Sequence, residues 1–323
     1  THYEDLYSAL MALASTVFQD EYAETCEPQH VHAANKRQTR ILDANYKAAD
    51  LKEIVKSIST IDDIERNKLL LLLQKYEHLF DGTLGNFETS DVKFNLKEDA
   101  KPYHAKAFPV PKIHHETLKH EIEWLVELGV LKRCSDSEWA APTFIIPKKN
   151  GTVRFISDFR KLNEQLKRKP YPIPKIAQML QELEKFAYAT SLDLNMGYYT
   201  IKLDPDSQKL CTIVTPFGKY QYLRLPMGIS CSPDVFQEKM SDLMQHLNFV
   251  HTYLDDLLVI SSSTLDDHLQ KLECVLKILS DKGLRVNAEK STFCADEIEY
   301  LGYWVSKSGI QPIPKKVEAI KNM

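Results

Sequence analysis

The chain has 323 residues, enough for two or three domains with hydrophobic cores of their own. Its 43% hydrophobic content is ordinary for a globular protein, and no apolar run approaches the ~18 residues that a membrane span requires. The six cysteines include no Cys-x-x-Cys pair, which argues against a zinc site or a disulfide framework. No charged-then-apolar leader opens the chain, so we expect an intracellular protein without a secretion signal or a membrane partner.

Charge is distributed unevenly along the chain. The formal net charge is −4, but residues 1–100 hold 11 basic against 18 acidic side chains, whereas residues 144–175 hold nine against two. Such a basic stretch indicates a local site for a polyanion such as nucleic acid. A solvated basic face is the alternative, and charge alone does not separate the two.

Residues 1–87 are predicted to form a mostly helical N-terminal extension with linker segments. Apolar residues keep a roughly helical spacing between Leu6 and Val17, and Ile61–Phe80 is a second apolar-rich helix. Asp81-Gly82 then breaks the pattern. We find no recognisable catalytic motif in this part of the chain.

Short strands and prolines dominate the middle of the chain. A helix is predicted over His115–Leu128, because Gly129 follows as a stop signal. Asn150-Gly151 lies between two apolar runs, which predicts a β-hairpin. The other predicted elements are the hairpin strands Ala141–Ile146 and Thr152–Ser157, a helix over Lys175–Leu183, a strand over Tyr188–Leu194, and a second hairpin of Thr212–Val214 with Tyr220–Leu225.

Helices and strands continue to alternate in the last third of the chain. Ser232-Pro233-Asp234 combines a cap, an early proline and an acid, which predicts a helix to about His246. Thr264 begins another helix that ends before Gly283. Strands are predicted over Phe249–Tyr253 and Leu257–Ile260, and the strand-like Tyr300–Val305 together with a turn at Lys307–Gly309 indicates a last hairpin. Helices mixed with antiparallel strands indicate an α+β fold.

Two apolar segments end in aspartates, Asp193 in the first and Asp255-Asp256 in the second. Adjacent side chains of an extended strand point to opposite faces, so the pair can face one site only at the tip of a β-hairpin. Carboxylates ~4 Å apart repel by about 4 kcal/mol at an effective dielectric constant of 20, and two divalent metal ions are the usual counter-charge in phosphoryl transfer. Taken alone, Tyr253–Asp256 also fits a buried strand with two surface acids at its turn.

Further motifs occur in a fixed order around these aspartates. In chain order they are Arg154–Asn163, Leu192–Tyr198, Leu225–Gly228 with Ser232-Pro233, Tyr253–Asp256 and Tyr300–Tyr303. The set resembles reverse transcriptases, with Tyr253–Asp256 as their Tyr-x-Asp-Asp box. Over about residues 88–323 the sequence is most similar to the pol polyprotein of gypsy-type LTR retrotransposons. The similarity is clearest at Ala141-Pro142, Pro147–Gly151 and Tyr300–Gly302.

The resemblance implies a right-hand polymerase fold. The fingers would span residues 88–170, with residues 205–225 returning to them, and the palm would span residues 171–305. Residues 306–323 would begin a thumb that is largely missing from this chain. A polymerase without its thumb is expected to bind primer–template weakly, because phosphate contacts dominate nucleic-acid affinity.

The resemblance also implies an RNA-directed DNA polymerase that extends a primer 3′-hydroxyl by a two-metal mechanism. The catalytic residues would be Asp193, Asp255 and Asp256. Two Mg²⁺ ions, with Mn²⁺ as an alternative, would be held by these carboxylates and the backbone carbonyl of Leu194. The implied partners are dNTPs and an RNA or DNA primer–template, together with the protease, RNase H and integrase domains of an intact polyprotein. Its expected location is the cytoplasm, within retrotransposon particles.

The same resemblance assigns residues to the substrates. Lys148 and Arg154 would reach the triphosphate, the ring of Tyr198 would lie against the sugar 2′ position, and Gly228 would let the backbone approach the nucleotide. Asp158 and Arg160 would lie on the template side. Alternatively, these two residues form a structural ion pair with each other. Tyr300–Tyr303 resembles the primer-grip hairpin of the family, in which Tyr300, Leu301 and Gly302 would hold the primer end.

One position departs from the retroviral pattern, and it favours a retrotransposon origin. Retroviral enzymes usually carry Gln where this chain has Met227, which removes a possible hydrogen bond to the nucleotide. Two other functions stay open at this point. The chain could be a non-catalytic remnant that at most binds nucleic acid, or a polymerase that copies RNA into RNA, against which Tyr198 argues.

Overall fold

The structure of the protein is a computed structural model that describes residues 48–147, 153–174, 176–183, 186–306 and 309–312. Three predicted features lie outside the described residues: the helix between Leu6 and Val17, the Asn150-Gly151 turn, and the chain after residue 312. Lys148 and the side chain of Arg154 also lie outside them.

The described helices and strands alternate along the chain. The helices are α1 (Leu51–Lys56), α2 (Asp63–Lys75), α3 (His115–Glu127), α4 (Arg160–Gln165), α5 (Ile176–Glu182), α6 (Pro205–Leu210), α7 (Ser232–Met244) and α8 (Leu265–Asp281). The strands are β1 (Leu131–Arg133), β2 (Ala141–Pro147), β3 (Val153–Ser157), β4 (Tyr188–Leu194), β5 (Thr212–Thr215), β6 (Gly218–Tyr222), β7 (Val250–Tyr253), β8 (Asp256–Ser261), β9 (Val286–Ala295), β10 (Glu297–Tyr300), β11 (Tyr303–Ser306) and β12 (Gly309–Pro312). The mixture confirms the predicted α+β class. Within the described ranges, no helix is both long and apolar enough to cross a membrane.

The strands form three sheets. A five-stranded sheet has the order β1-β6-β5-β2-β3, and its β2–β5 pair is parallel. A four-stranded antiparallel sheet has the order β7-β8-β4-β9, and a three-stranded sheet has the order β10-β11-β12. Strands that are distant in sequence therefore lie side by side, and β4 pairs with both β8 and β9.

The two faces of the four-stranded sheet pack against different elements. Leu192 and Leu257 belong to the large core that includes residues of α7 and α8. Ala189 and Leu258 belong to a second core with residues of β10 and β11. Side chains alternate between faces along a strand, so the alternation that sends leucines toward the helices sends Asp193 and Asp256 to the other face.

The N-terminal extension, as far as residues 48–87 show it, packs on the same half of the molecule as the four-stranded sheet. Leucines of α2 are buried in the core that includes α8. Lys68 Nζ lies 2.7 Å from Asp266 Oδ1, and Lys75 Nζ lies 2.5 Å from Glu273 Oε1. These ion pairs are exposed and contribute little, so the buried leucines supply most of the attachment.

Two features of the C-terminal part differ from the sequence-based prediction. The apolar pattern predicted Tyr300–Val305 as one strand of a hairpin, but Leu301 and Gly302 form a turn between β10 and β11, with φ of 51° and 77°. This turn agrees with the hairpin that the family resemblance implied at Tyr300–Tyr303. Positive φ at both central residues is characteristic of a type I′ turn. Because such turns usually have Asn, Asp or Gly in the first central position, the leucine there gave no turn signal in the sequence. Strand β9 had no clear alternation and was not predicted, although it forms one edge of the four-stranded sheet.

A buried histidine joins α8 to the centre of the four-stranded sheet. His268 is fully buried, with Nε2 2.8 Å from Thr190 Oγ1 on β4 and Nδ1 2.9 Å from Ser261 Oγ on β8. Each ring nitrogen therefore has one hydroxyl partner, which suits a neutral imidazole. Burial lowers the pKa of His268 to about 4.

We predict that His268 makes the stability of the protein depend on pH. The unfolded chain takes up a proton near pH 6.5 and the folded chain only near pH 4, so stability is lost as the pH falls through this window. The loss amounts to at most about 3 kcal/mol. Urea unfolding of the native protein and of His268→Gln across this window measures it. Equal pH dependence of the two proteins would contradict the prediction.

Candidate active site

Two of the three aspartates lie at the tip of a β-hairpin, as predicted. Tyr253 on β7 pairs with Asp256 on β8, which leaves Leu254 and Asp255 as a two-residue loop. Leu254 has a φ of 52°, a conformation that is costly for a residue with a side chain. Its N–H donates to Oε1 of the buried Gln237 on α7 at 2.7 Å, which holds the turn in place.

The third aspartate reaches the same place through strand pairing. Asp193, next to the end of β4, lies directly opposite Asp256 in the antiparallel β4–β8 ladder. The N–H of Leu194 donates to the carbonyl oxygen of Asp255 at 3.1 Å, which ties the end of β4 to the hairpin loop. Like charges directly opposite each other destabilise a sheet, so this register costs stability and favours a counter-ion.

Burial and mutual repulsion both disfavour the charged forms of these carboxyl groups. Desolvation and the neighbouring Asp255 raise the pKa of Asp193 to about 6. Desolvation, followed by the charges of Asp255 and Asp193, raises the pKa of Asp256 to about 7. Desolvation also raises the pKa of Asp255. Such a group is receptive to a cation, which would restore the ionised state.

Lys290, an exposed residue of β9, is a cation that opposes this trend. Its charge lowers the pKa of all three aspartates. The neighbouring Ser291 accepts a hydrogen bond from the N–H of Asp193 at 3.1 Å. Sequence reasoning missed Lys290, Ser291 and Gln237. Gln237 lies in the second turn of α7, a helix that the sequence predicted, but no local motif singled this residue out.

Oxygen ligands such as these carboxylates are the kind that Mg²⁺ prefers. In the described part of the chain, however, no three His, Cys, Asp or Glu side chains are close enough together to hold a metal ion. Mg²⁺ is commonly bound by one or two carboxylates plus substrate phosphates and water. The donor set therefore fits a site that a phosphate-bearing substrate completes, and it does not form a closed cage.

Tyr198 lies beside the aspartates and is held by an aromatic stack. Its ring stacks on Phe236 with a centroid distance of 4.9 Å and an interplanar angle of 28°. Desolvation, followed by the charge of Asp255, raises the pKa of Tyr198. A Cβ on Gly197 would lie 3.0 Å from the Phe236 ring and 3.4 Å from Cβ of Asp255, so this position has room for glycine and little else.

Gly228 lies in an exposed loop beside the exposed Met227. With a φ of 89°, it adopts a backbone conformation that glycine reaches readily. The other two residues assigned to the nucleotide cannot be placed beside it in the same way. Lys148 lies outside the described residues, and of Arg154 the structure describes only the backbone pairing with Ile146.

Asp158 and Arg160 form the ion pair that the sequence left as an alternative. Arg160 donates from Nε to Asp158 Oδ1 at 2.8 Å and from Nη2 to Oδ2 at 2.7 Å. Hydrogen bonds and the charge of Arg160 outweigh desolvation, the largest opposing cause, and lower the pKa of Asp158. A contact of this pair with a template stays a prediction.

The three residues assigned to the primer end differ in exposure. Leu301 and Gly302 form the partly exposed β10–β11 turn. The side chain of Tyr300 is only 2% exposed, and its hydroxyl is buried without a hydrogen-bond partner. Burial and then the charge of Asp256 raise the pKa of Tyr300. Tyr300 therefore lies beneath the carboxylates, and the turn is the part of this motif that a ligand can reach.

Sequence comparison links the chain to one family. The family described as reverse transcriptase (RNA-dependent DNA polymerase) matches residues 146–305. The Retrovirus-related Pol polyprotein from transposon opus of Drosophila melanogaster is 35% identical over 78% of this chain and 26% of the relative. The Pol polyprotein from transposon gypsy of the same organism is 33% identical over 69% of this chain and 22% of the relative. The chain thus spans about a quarter of the length of these curated relatives.

Solved structures give the same result for the fold. The foamy viral protease-reverse transcriptase in complex with dsDNA has a TM-score of 0.77 and 25% identity, over 85% of this chain and 58% of that chain. The native protease-reverse transcriptase of prototype foamy virus has a TM-score of 0.71 and 26% identity, over 80% of this chain and 35% of that chain. The architecture is therefore that of a right-hand polymerase, whereas the predicted limits of its fingers and palm stay a prediction.

We predict that Asp256→Asn stabilises the protein in the absence of metal. Removing one of three neighbouring, partly buried charges is expected to raise the free energy of unfolding at pH 8 by about 1–3 kcal/mol. Urea unfolding with a chelator present measures the change, and Asp99→Asn, an exposed loop residue, is the control. Millimolar Mg²⁺ should stabilise the native protein more than the variant, because a ligand stabilises the state that binds it. A destabilised Asp256→Asn would contradict the prediction.

Proposed function

Residues 146–305 belong to the reverse transcriptase family, and we propose that this chain is the RNA-directed DNA polymerase core of a retrotransposon Pol polyprotein. It would add dNTPs to the 3′-hydroxyl of a primer. One observation carries the proposal: strand register and a hairpin loop bring Asp193, Asp255 and Asp256 together at one end of the central strands β4 and β8. Their raised pKa values show that the ionised carboxylates lack a sufficient counter-charge, which a bound cation would supply.

Asp193 and Asp255 would hold two Mg²⁺ ions, with Asp256 nearby and the carbonyl of Leu194 as a further oxygen donor. When bound, such ions activate the attacking hydroxyl and neutralise the charge that develops on the phosphates. The protein contributes the fixed positions of the carboxylates. Backbone pairing places Asp193 opposite Asp256. The hydrogen bond that the N–H of Leu254 donates to Oε1 of Gln237 holds the loop that carries Asp255.

The substrate contacts are proposed from the same frame. The stacked ring of Tyr198 would lie against the sugar, where a 2′-hydroxyl has no room, and the backbone at Gly228 would approach the nucleotide. Lys148 and Arg154 would bind the triphosphate, Asp158 and Arg160 would lie along the template, and Leu301 and Gly302 would support the primer end.

The partners follow from the relatives. The foamy viral enzyme named above was solved with dsDNA, and the transposon relatives are Pol polyproteins about three times the length of this chain. We therefore propose an RNA or DNA primer–template and dNTPs as ligands, with protease, RNase H and integrase as companion domains. The proposed location is the cytoplasm, within retrotransposon particles.

Asp193→Asn is expected to abolish nucleotide incorporation while the protein stays folded, because the amide cannot supply the negative charge that a metal ion requires. Primer extension on an RNA template with dNTPs and Mg²⁺ at low salt measures activity, and circular dichroism measures folding. Incorporation should fall by at least about a hundredfold. Asp99→Asn, which is distant from the aspartates in sequence and lies in an exposed loop, should keep its activity. Extension by Asp193→Asn at the native rate would refute the assignment of the metal site.

Tyr198→Ala is expected to weaken the preference for dNTPs over NTPs. Removing the ring from its stack on Phe236 makes room for a 2′-hydroxyl, so the ratio of kcat/KM for dNTP to that for NTP should fall by about tenfold or more. Tyr198→Phe keeps the ring and should keep the native ratio. If both variants discriminate as the native protein does, Tyr198 does not select the sugar.

A further inference from the structure

The loop from Pro226 to Ser230 presents the backbone that would approach the nucleotide. The side chain of Met227 is 53% exposed, and Gly228 is exposed as well, whereas Ile229 is buried. A Cβ on Gly228 would lie 3.3 Å from the carbonyl oxygen of Ser157, so the loop lies tightly against the end of β3. The peptide of Gly228 therefore needs a fixed orientation to offer a defined surface to a ligand.

One side chain grips this loop on both sides of Ile229. Nδ2 of Asn163 donates to the carbonyl oxygen of Gly228 at 2.9 Å, and Oδ1 of Asn163 accepts from the N–H of Ser230 at 2.9 Å. A primary amide is the side-chain group that donates and accepts from one rigid plane, so both bonds together fix the loop's rotation. Ser232 braces the start of the loop by donating to the carbonyl of Pro226 at 2.7 Å.

Asn163 is itself anchored in the fingers. It belongs to α4, and its N–H donates to the carbonyl oxygen of Phe159 at 2.8 Å. Phe159 is 1% exposed and packs edge to face against Tyr222 at a centroid distance of 5.9 Å. The loop that Asn163 holds leads directly into α7 of the palm. The amide thus joins the rigid part of the fingers to the palm at the proposed nucleotide site.

We infer that Asn163 is a positioning residue for the incoming nucleotide. Its amide sets the orientation of the Gly228 peptide, and through it the backbone surface of Met227 and Gly228 that faces the dNTP. The inference rests on the proposed polymerase function and goes beyond it, because the Asn163 side chain bonds the backbone of the loop and not the aspartates. It predicts an effect on dNTP binding and none on primer–template binding.

Two variants separate the positioning role from a general effect on folding. Asn163→Ala removes both hydrogen bonds. Asn163→Asp keeps the acceptor for Ser230 and replaces the donor to Gly228 with a repelling oxygen. For both variants the KM for dNTP should rise by about fivefold to tenfold, with the KM for primer–template within about twofold of the native value. Glu164→Gln is the matched control, since within the described ranges its side chain, on the same helix, bonds Lys161 and not the loop.

The measurement is single-nucleotide incorporation with dNTP and primer–template titrated separately, beside thermal unfolding of each protein. The inference is overturned if native-like KM values for dNTP are found, or if both KM values rise together. A native chain that incorporates nothing counts against the proposed function instead. Equilibrium dialysis of Mg²⁺–dTTP then decides: weaker binding by Asn163→Ala supports the inference, and equal binding, or none by the native chain, overturns it.

Discussion

The repulsion among three carboxyl groups at one end of the central strands β4 and β8 is the constraint on which the surrounding structure depends. Asp193 and Asp256 are placed opposite each other by strand register, which no side-chain rearrangement can relieve. The sheet tolerates this because both of its faces are packed, one against α7 and α8 and the other against β10 and β11. Buried apolar area thus offsets a charge arrangement that would be unfavourable on its own.

Around the site, polar side chains form hydrogen bonds with backbone groups and not with the three carboxylates, whose oxygens stay available to a ligand. Gln237 binds the N–H of the strained Leu254, Ser291 binds the N–H of Asp193, and Asn163 binds both sides of the loop at Gly228. Each of these bonds fixes a main-chain position next to a functional group. A site built this way is rigid in the backbone and keeps its charged oxygens available, which is what preorganisation requires.

Local sequence signals located most elements of the fold. Start and stop residues placed α3, α7 and α8 within a few residues of their observed ends, because these signals act within one helical turn. Thr264 caps α8 as predicted, but the predicted cap of α7 was wrong: Ser232 is its first helical residue, and Cys231 precedes it without a side-chain cap bond. The adjacent aspartates required a hairpin tip, and the structure has one at Leu254 and Asp255. The local pattern did not give the β10–β11 turn, which only the family resemblance at Tyr300–Tyr303 implied, or β9. The first places leucine where a type I′ turn usually has Asn or Gly, and the second pairs with β4 through two irregularities in register that blur its alternation.

The sequence by itself determined the α+β class, the family resemblance and the three aspartates, because motif spacing and hydrophobic alternation are local properties of the chain. Only the tertiary structure decided what surrounds those aspartates. Lys290 and Ser291 reach the site from an edge strand about a hundred residues beyond Asp193, and Tyr300 is turned beneath it by a hairpin. Asn163 meets Gly228 across 65 residues of chain. Such contacts depend on strand order and packing, and these are set by the burial of the whole core rather than by any one segment.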